Sequence, residues 1–205
     1  MTPVSGYPIL LRGTRVQALV VGGGAVAERR VRALLDGGLP VCVVAPALTP
    51  GLVAMERDGV IVARTREFAE GDVLGARLVV AATGSAAVNA NVARLAREAG
   101  ALVNLAGDPE SSDFLTPAVH RTGPLVVAVS AGGVPGAAAR LRDMIAERFG
   151  DSYGEAVRGL GELRRSLLDA GRRDRWKDAS RSLLGSGFGA SVEDGSLSRE
   201  VDSWR

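Results

Sequence analysis

The first half of the chain alternates between short apolar runs and stretches with apolar residues at helical spacing. Residues 15–21 end in such a run, which stops at three glycines and predicts a buried strand of a parallel sheet. From Ala27 to Leu35 the apolar positions recur at helical spacing between charged ones, and Gly37 predicts the end of this helix. A second buried strand is predicted at residues 40–44. The order strand, helix, strand indicates a right-handed parallel crossover.

The same alternation continues toward residue 113. Residues 60–63 and 78–82 predict two more strands, residues 88–99 predict a helix, and residues 101–105 predict a further strand. Strands that alternate with helices in this way form a doubly wound parallel sheet. We therefore predict an α/β fold, with a Rossmann-type domain over residues 1–113.

The pattern changes after this domain, over residues 114–150. Residues 114–119 and 125–130 predict two strands joined by a turn at 121–124, and a helix is predicted over 137–149. We interpret this part as a small α+β segment.

The last part of the chain, residues 151–205, predicts a small helical C-terminal appendage. Apolar residues recur at helical spacing from Val157 to Leu167, between many arginines. From Gly185 onward glycine and serine are dense and apolar residues are few, which predicts a flexible tail.

Composition excludes several classes of protein. The net charge is only +2, which gives no reason to expect a nucleic-acid partner. Cys42 is the only cysteine and His120 the only histidine, so we predict neither a disulfide nor a metal site held by the protein. No apolar stretch is long enough for a membrane span, and the first residues do not follow the order of a signal peptide. We therefore predict a cytoplasmic protein.

The glycines after the first strand carry the clearest functional signal. Gly22-x-Gly24-x-x-Ala27 lies between a predicted strand and a predicted helix, the context in which such a motif binds a dinucleotide. Gly22 would permit the tight turn, Gly24 would let a pyrophosphate approach, and the N–H groups of Ala25 and Val26 would face the anion. The alternative is a glycine turn that only packs the helix on the strand.

Two further loops complete the predicted cofactor site. The second strand ends without the Asp or Glu that usually binds the ribose hydroxyls, so groups at Pro46 and Ala47 would take that role. This leaves the choice between NAD and NADP open. Thr83 and Gly84 follow the fourth strand, at the crevice where the cofactor is expected to lie.

Six motifs occur in order over residues 7–150. They are YPIL at 7–10, VVGGGAVAERR at 20–30, VVAP at 43–46, AATGSAAVN at 81–89, VNLAGDPESSDF at 103–114 and GPLVVAVSAGG at 123–133. No single motif is specific, but the six in register resemble the siroheme synthase amino-terminal domain family. This family comprises precorrin-2 dehydrogenases, some of which also act as sirohydrochlorin ferrochelatases.

The resemblance implies a reaction and an assembly. It implies that the Rossmann domain binds NAD, that the segment from 114 to 150 forms a homodimer, and that precorrin-2 binds in the cleft between these parts. NAD would accept a hydride from precorrin-2, which would become sirohydrochlorin after the loss of one proton. Thr83 and Asn104 would help to shape the pocket.

The resemblance also implies a general base, and the sequence departs from the family at that position. The family has an aspartate directly after the stretch that matches residues 104–106, but here Gly107 follows. Asp108 is the nearest carboxylate and our candidate base, with Asp113 as the next. The alternative role for Asp108 is to begin the turn at Asp108–Pro109.

Two other functions remain open from the sequence. Gly107 in place of an acid favours a catalytically degenerate paralogue or sensor that binds a dinucleotide without turnover. A chelatase that inserts Co²⁺ or Fe²⁺ into sirohydrochlorin without NAD is the third possibility.

Overall fold

The computed structural model describes residues 6–205, which form two compact units. The first unit extends to Thr116, and the second comprises residues 117–205. Each unit has a hydrophobic core of its own. None of the helices within the described residues is both long and apolar enough to cross a membrane.

The first unit is built on a five-stranded parallel sheet. Its strands are β1 (Ala18–Val21), β2 (Val41–Val44), β3 (Val62–Arg64), β4 (Leu78–Ala81) and β5 (Leu102–Leu105). In space they follow the order β3, β2, β1, β4, β5, and every neighbouring pair is parallel. The chain starts in the middle of the sheet and builds outward in both directions, as in doubly wound folds. The prediction of an α/β, Rossmann-type sheet is confirmed.

Helices cover both faces of this sheet. On one face, Val31 and Leu52 pack in the same core as Val20, and on the other face Val92 packs with Val79; all five side chains are fully buried. Because both faces are covered, β1, β2 and β4 consist of apolar residues without alternation. The three helices are α1 (Ala25–Asp36), α2 (Pro50–Arg57) and α3 (Ala86–Glu98).

The second unit begins with an antiparallel hairpin. Its strands are β6 (Ala118–Thr122) and β7 (Leu125–Val129). Gly123 and Pro124 form the two-residue turn, in which Gly123 has a φ of 52° that suits glycine. The hairpin was predicted, but its first strand begins at Ala118 and not at Phe114. Phe114 instead packs against the core of the first unit, and its carbonyl accepts a hydrogen bond.

Five helices follow the hairpin and form the rest of the second unit. The last four of these helices share a core, in which Leu163, Leu167 and Leu183 lie fully buried. The helices are α4 (Pro135–Arg148), α5 (Asp151–Asp169), α6 (Arg173–Leu183), α7 (Phe188–Glu193) and α8 (Ser196–Ser203).

The prediction of a flexible tail from Gly185 is wrong. The helices α7 and α8 cover most of this segment, and Val192, Leu197 and Val201 are buried against α5 and α6. Tyr153 also donates a hydrogen bond to Glu193 across 3.0 Å. The high content of glycine and serine suggested flexibility. The apolar residues of this segment are few, but their helical spacing places them on one face, which composition alone does not show.

A buried carboxylate fastens the connection between β3 and β4. Asp72 lies in a short 3-10 turn, and its side chain is only 2% exposed. It accepts hydrogen bonds from Arg66 Nη2 and Arg64 Nη1, each at 2.6 Å, and from the Ala69 N–H at 2.9 Å. The hydrogen bonds from Arg66, Ala69 and Arg64 hold the pKa of Asp72 well below its usual range, although burial acts in the opposite direction.

We predict that Asp72→Asn lowers the free energy of unfolding by about 2 kcal/mol at neutral pH, since two arginines lose a charged partner. The pKa of Asp72 is lower in the folded than in the unfolded chain. Its contribution is therefore fully present above about pH 4 and decreases as the pH falls further. Urea unfolding at pH 7 and at pH 3 measures both effects. The control is Glu70→Gln on the same turn, whose exposed side chain should change stability by less than about 0.5 kcal/mol. An equal loss at both pH values would contradict the assigned charge.

Candidate functional site

The loops after β1, β2, β4 and β5 lie together at the carboxyl edge of the sheet. Backbone hydrogen bonds extend beyond the strand ends: the Gly22 N–H donates to the Val44 carbonyl across 2.9 Å. The Ala82 N–H likewise donates to the Val21 carbonyl across 2.8 Å. The positions of these loops are thus determined by the sheet itself.

The glycine turn packs against two of these loops through its backbone. Gly22 has a φ of 129°, and a Cβ atom there would overlap the carbonyl of Ala82. A Cβ atom at Gly23 would overlap the carbonyl of Ala47. Gly24 differs, because a Cβ atom there would meet nothing within 4 Å. Gly22 and Gly23 therefore allow close packing, and Gly24 leaves open space.

The open space beside Gly24 lies at the amino terminus of α1. Gly24 is the N-cap residue, and no side chain among residues 6–205 caps this helix. The first N–H groups of a helix have no partner within it, so those of Ala25 and Val26 are available to an anion. The side chains of Ala25 and Val26 are exposed. This end of the helix has the geometry of a diphosphate site.

The loop after β2 lies beside the turn, as expected for the ribose-binding loop. Pro46 and Ala47 are exposed, whereas Ala45 is buried. The Thr49 N–H donates to the Gly23 carbonyl across 2.9 Å and attaches this loop to the turn. The strand end itself carries no acid, in agreement with the sequence.

The loop after β4 is held by Asn89, a residue that the sequence analysis did not single out. Asn89 Oδ1 accepts from the Thr83 hydroxyl at 2.7 Å and from the Thr83 N–H at 3.1 Å. Its amide in turn donates to the Thr83 carbonyl across 3.2 Å. Gly84 follows with open space around it. The sequence feature that could have identified Asn89 is an asparagine near the start of a helix, six residues after Thr83.

Asn104 lies near the end of β5 and has one unused polar atom. It is 3% exposed, and its amide donates to the Phe114 carbonyl across 2.9 Å. Within the described part of the chain, Asn104 Oδ1 is buried and has no donor. A buried acceptor without a donor is unfavourable, so a ligand or a water molecule is expected to satisfy it.

A cavity of about 270 Å³ lies between the start of α3 and the loop after β5. Seven residues line it: Ala86, Asn89, Ala90, Leu105, Ala106, Gly107 and Asp108. Asn89 thus joins the loop of Thr83 to this cavity. The cavity places the candidate base beside a polar amide at the edge of the sheet.

Asp108 is partly engaged in the loop that follows β5. Its Oδ1 accepts from the Ser111 N–H at 3.1 Å, and its own N–H donates to the Leu105 carbonyl. Hydrogen bonds from Ser111, and a weaker one from the Glu110 N–H, lower the pKa of Asp108. The side chain is exposed and ionised at neutral pH, and the turn makes it a weaker base than a free carboxylate.

Gly107 stands where the resembled family has its aspartate. Its φ is 90°, in the region that disfavours residues with a side chain.

Asp113, the second candidate base, is bound to Arg97 Nε at 3.1 Å and accepts from the Val103 N–H at 2.9 Å. Asp113 is thus occupied with a structural role, which leaves Asp108 as the carboxylate at the cavity.

A parallel doubly wound sheet with this glycine turn defines a dinucleotide-binding protein. Residues 9–118 match the model of a family described as putative NAD(P)-binding, and the chain belongs to that family. The class of cofactor is therefore a nicotinamide dinucleotide. The groups at the site fit such a ligand, because Gly24 and the start of α1 are open to a diphosphate and Asn104 Oδ1 needs a donor.

Relatives and a solved structure agree with this assignment and with the resemblance seen in the motifs. The chain is 40% identical over 158 residues to siroheme synthase 1 of Aeromonas salmonicida (strain A449), covering 77% of this chain and 34% of that protein. It is 38% identical over 176 residues to the siroheme synthase of Methylococcus capsulatus, covering 83% and 37%. The chain thus spans just over a third of these relatives. The structure of "SirC, precorrin-2 dehydrogenase" has the same fold, with a TM-score of 0.74 at 23% identity, covering 97% of this chain and all of that one.

We predict that Gly24→Ala weakens NADH binding at least tenfold, because its Cβ atom would enter the space where the diphosphate approaches. Stability should change by no more than about 1 kcal/mol, since the added atom meets nothing in the protein. Fluorescence titration with NADH and a thermal melt measure the two quantities. Gly150→Ala is the matched control, because Gly150 is also the N-cap residue of a helix, α5, with open space around it. Unchanged NADH affinity in Gly24→Ala would place the diphosphate elsewhere.

Proposed function

We propose that this protein is an NAD-dependent dehydrogenase that oxidises precorrin-2 to sirohydrochlorin in siroheme biosynthesis. The observation that carries this proposal is the glycine turn, which leads into an uncapped helix at the carboxyl edge of the sheet. The similarity to siroheme synthases over most of the chain supports the choice of substrate. The reaction removes one hydride and one proton from precorrin-2, and bound NAD⁺ supplies the hydride acceptor.

The protein would hold the cofactor mainly through backbone groups. Gly22 packs the turn against the loop after β4, Gly24 leaves room for the diphosphate, and the N–H groups of Ala25 and Val26 would donate to it. The exposed loop at Pro46 and Ala47 would receive the adenosine ribose. Backbone donors bind without loss of side-chain entropy, so the site is preorganised.

The loops after β4 and β5 would orient the reactive end of the cofactor. Asn89 holds Thr83 in place, and Gly84 leaves the space beside it open. Asn104 Oδ1 offers a buried acceptor, which an amide N–H of the ligand would satisfy. Because Phe114 fixes the other end of the Asn104 amide, the direction of this acceptor is set in advance.

Asp108 would accept the proton that leaves the substrate. Its carboxylate is ionised at neutral pH, lines the cavity and is exposed. The lowered pKa reduces its strength as a base, so proton transfer needs a substrate N–H or C–H that has become acidic during hydride removal. Within the described residues no other carboxylate lines this cavity.

A second candidate function is a dinucleotide-binding protein without turnover. The observation that favours it is the engagement of Asp108 by Ser111, together with Gly107 at the position of the family's aspartate. In that protein Asp108 would serve only to start the turn.

We predict that anaerobic incubation with precorrin-2 and NAD⁺ yields the sirohydrochlorin spectrum and NADH together. Asp108→Asn should then lower kcat by about 10²–10⁴-fold, because the proton acceptor is lost, without a change in NADH affinity. Asparagine keeps the Oδ1 acceptor for the Ser111 N–H, so the turn is preserved. Absorbance measurements follow both products.

Glu110→Gln is the matched control for Asp108→Asn, because it removes a carboxylate from the same exposed loop. It should leave kcat unchanged. If the wild-type protein binds NADH but produces no sirohydrochlorin, the second candidate function holds. If Asp108→Asn is fully active, the dehydrogenase needs a different proton acceptor.

We also propose that the protein is a homodimer that associates through its second unit. Only Ala138 is buried among the 14 residues of α4, whereas Leu141 and Met144 are 45% and 50% exposed. The apolar side chains of β6 and β7 are mostly half-buried, as those of an incompletely covered sheet are. Large exposed apolar surfaces of this kind mark protein interfaces.

We predict that replacing both Leu141 and Met144 with Glu converts a dimer into a monomer, because two charges would be buried at the interface. Light scattering coupled to size-exclusion chromatography measures the mass. Leu74→Glu is the control, because Leu74 is 74% exposed in the first unit and should not affect the mass. A wild-type protein that elutes as a monomer at micromolar concentration would disprove the assembly.

A further inference from the structure

The end of β2 lacks an acid, but a carboxylate from α1 reaches the same loop. Glu28 lies one turn into α1, and its Oε2 accepts from the Thr49 hydroxyl across 2.5 Å. Thr49 is also bound to the glycine turn through its N–H and the Gly23 carbonyl. The carboxylate is therefore attached to the loop that follows Pro46 and Ala47.

The carboxylate of Glu28 also occupies the amino terminus of α2. Thr49 is the N-cap of this helix, and its hydroxyl accepts from the Leu52 N–H. A Cβ atom at Gly51, in the first turn, would overlap the Glu28 carboxylate. The positive end of the α2 dipole therefore faces a negative charge that the protein itself supplies. Hydrogen bonds from Thr49 and Arg32 lower the pKa of Glu28, so it is ionised at neutral pH.

The loop itself, residues 45–49, contains no arginine, and Arg32 and Arg64 next to it each have a carboxylate partner. Arg32 Nη2 lies 2.6 Å from Glu28 Oε1. Arg64, whose carbonyl accepts from the Ala45 N–H, is paired with Asp72. Sites for the 2′-phosphate of NADP usually offer an arginine close to the end of the second strand. Here Arg64 shares Asp72 with Arg66, Arg32 is paired with Glu28, and the amino terminus of α2 is covered by the Glu28 carboxylate.

We propose that Glu28 makes the site select NAD over NADP, in the role that an acid at the end of β2 has in other Rossmann domains. This inference rests on the proposed function, since it concerns the same cofactor site. The extra phosphate of NADP carries between one and two negative charges and would lie at the loop that Glu28 contacts. It would be repelled by the carboxylate, and the loop itself offers no arginine to bind it. The ribose hydroxyls of NAD carry no charge and avoid this cost.

Direct binding measurements on three variants test the proposal. Dissociation constants for NADH and NADPH are measured by fluorescence for the wild-type protein, Glu28→Gln and Glu98→Gln. Glutamine still accepts from Thr49 but removes the charge and releases Arg32. We expect Glu28→Gln to tighten NADPH binding about tenfold, with less than a twofold change for NADH. Glu98 is the matched control, because it forms the same i,i+4 pair with Arg94 on the exposed side of α3.

Each outcome of this experiment has a defined meaning. Preference of the wild-type protein for NADH, reduced in Glu28→Gln and unchanged in Glu98→Gln, supports the proposal. Equal loss of both affinities in Glu28→Gln would show that Glu28 only holds the loop, and an unchanged ratio would show that the charge is irrelevant; both overturn it. If the wild-type protein binds neither cofactor, the proposed function itself fails. Thr49→Val, which removes the hydroxyl and keeps the charge, should retain the preference for NADH.

Discussion

The backbone of the glycine turn is in close contact with the backbone of the loops after β2 and β4. At Gly22 the neighbour is the carbonyl of Ala82, and at Gly23 it is the carbonyl of Ala47; neither contact leaves room for a methyl group. These contacts set the position of the amino terminus of α1 relative to the strand ends. The diphosphate site at Gly24, the ribose-binding loop and the loop of Thr83 all depend on this close approach.

Carboxylates also hold the connections near the glycine turn in position. Glu28 joins α1 to the start of α2, and Asp72 joins the end of β3 to the 3-10 turn that follows it. Each is paired with at least one arginine, so the edge of the sheet is rigid without carrying a large net charge. A preorganised edge of this kind avoids the cost of ordering loops when a ligand binds. In the cofactor site this rigidity has a chemical consequence, because the charge of Glu28 lies at the loop that would receive the ribose.

Asp108 is the exception among these acids. No arginine pairs with it in the described structure; its partners are the N–H and hydroxyl of Ser111 and the N–H of Glu110. It is exposed at the rim of a cavity and remains free to contact a substrate. Gly107 adopts a positive φ, so the loop turns in a way that an aspartate there would resist.

The sequence by itself determined the sheet, the glycine turn and the family, because these depend on local patterns. Apolar runs, helical spacing and glycine positions are properties of neighbouring residues. They predicted β1, β2, β4 and β5 closely, whereas β3 and the first strand of the hairpin begin later than predicted. The roles of Glu28, Asn89 and Asp72 were decided only by the tertiary structure. Glu28 and Thr49 are 21 positions apart, and nothing local to either residue shows that their side chains meet. The tail after Gly185 was mispredicted for the same reason, since Leu197 and Val201 order this segment by packing on helices that come earlier in the chain.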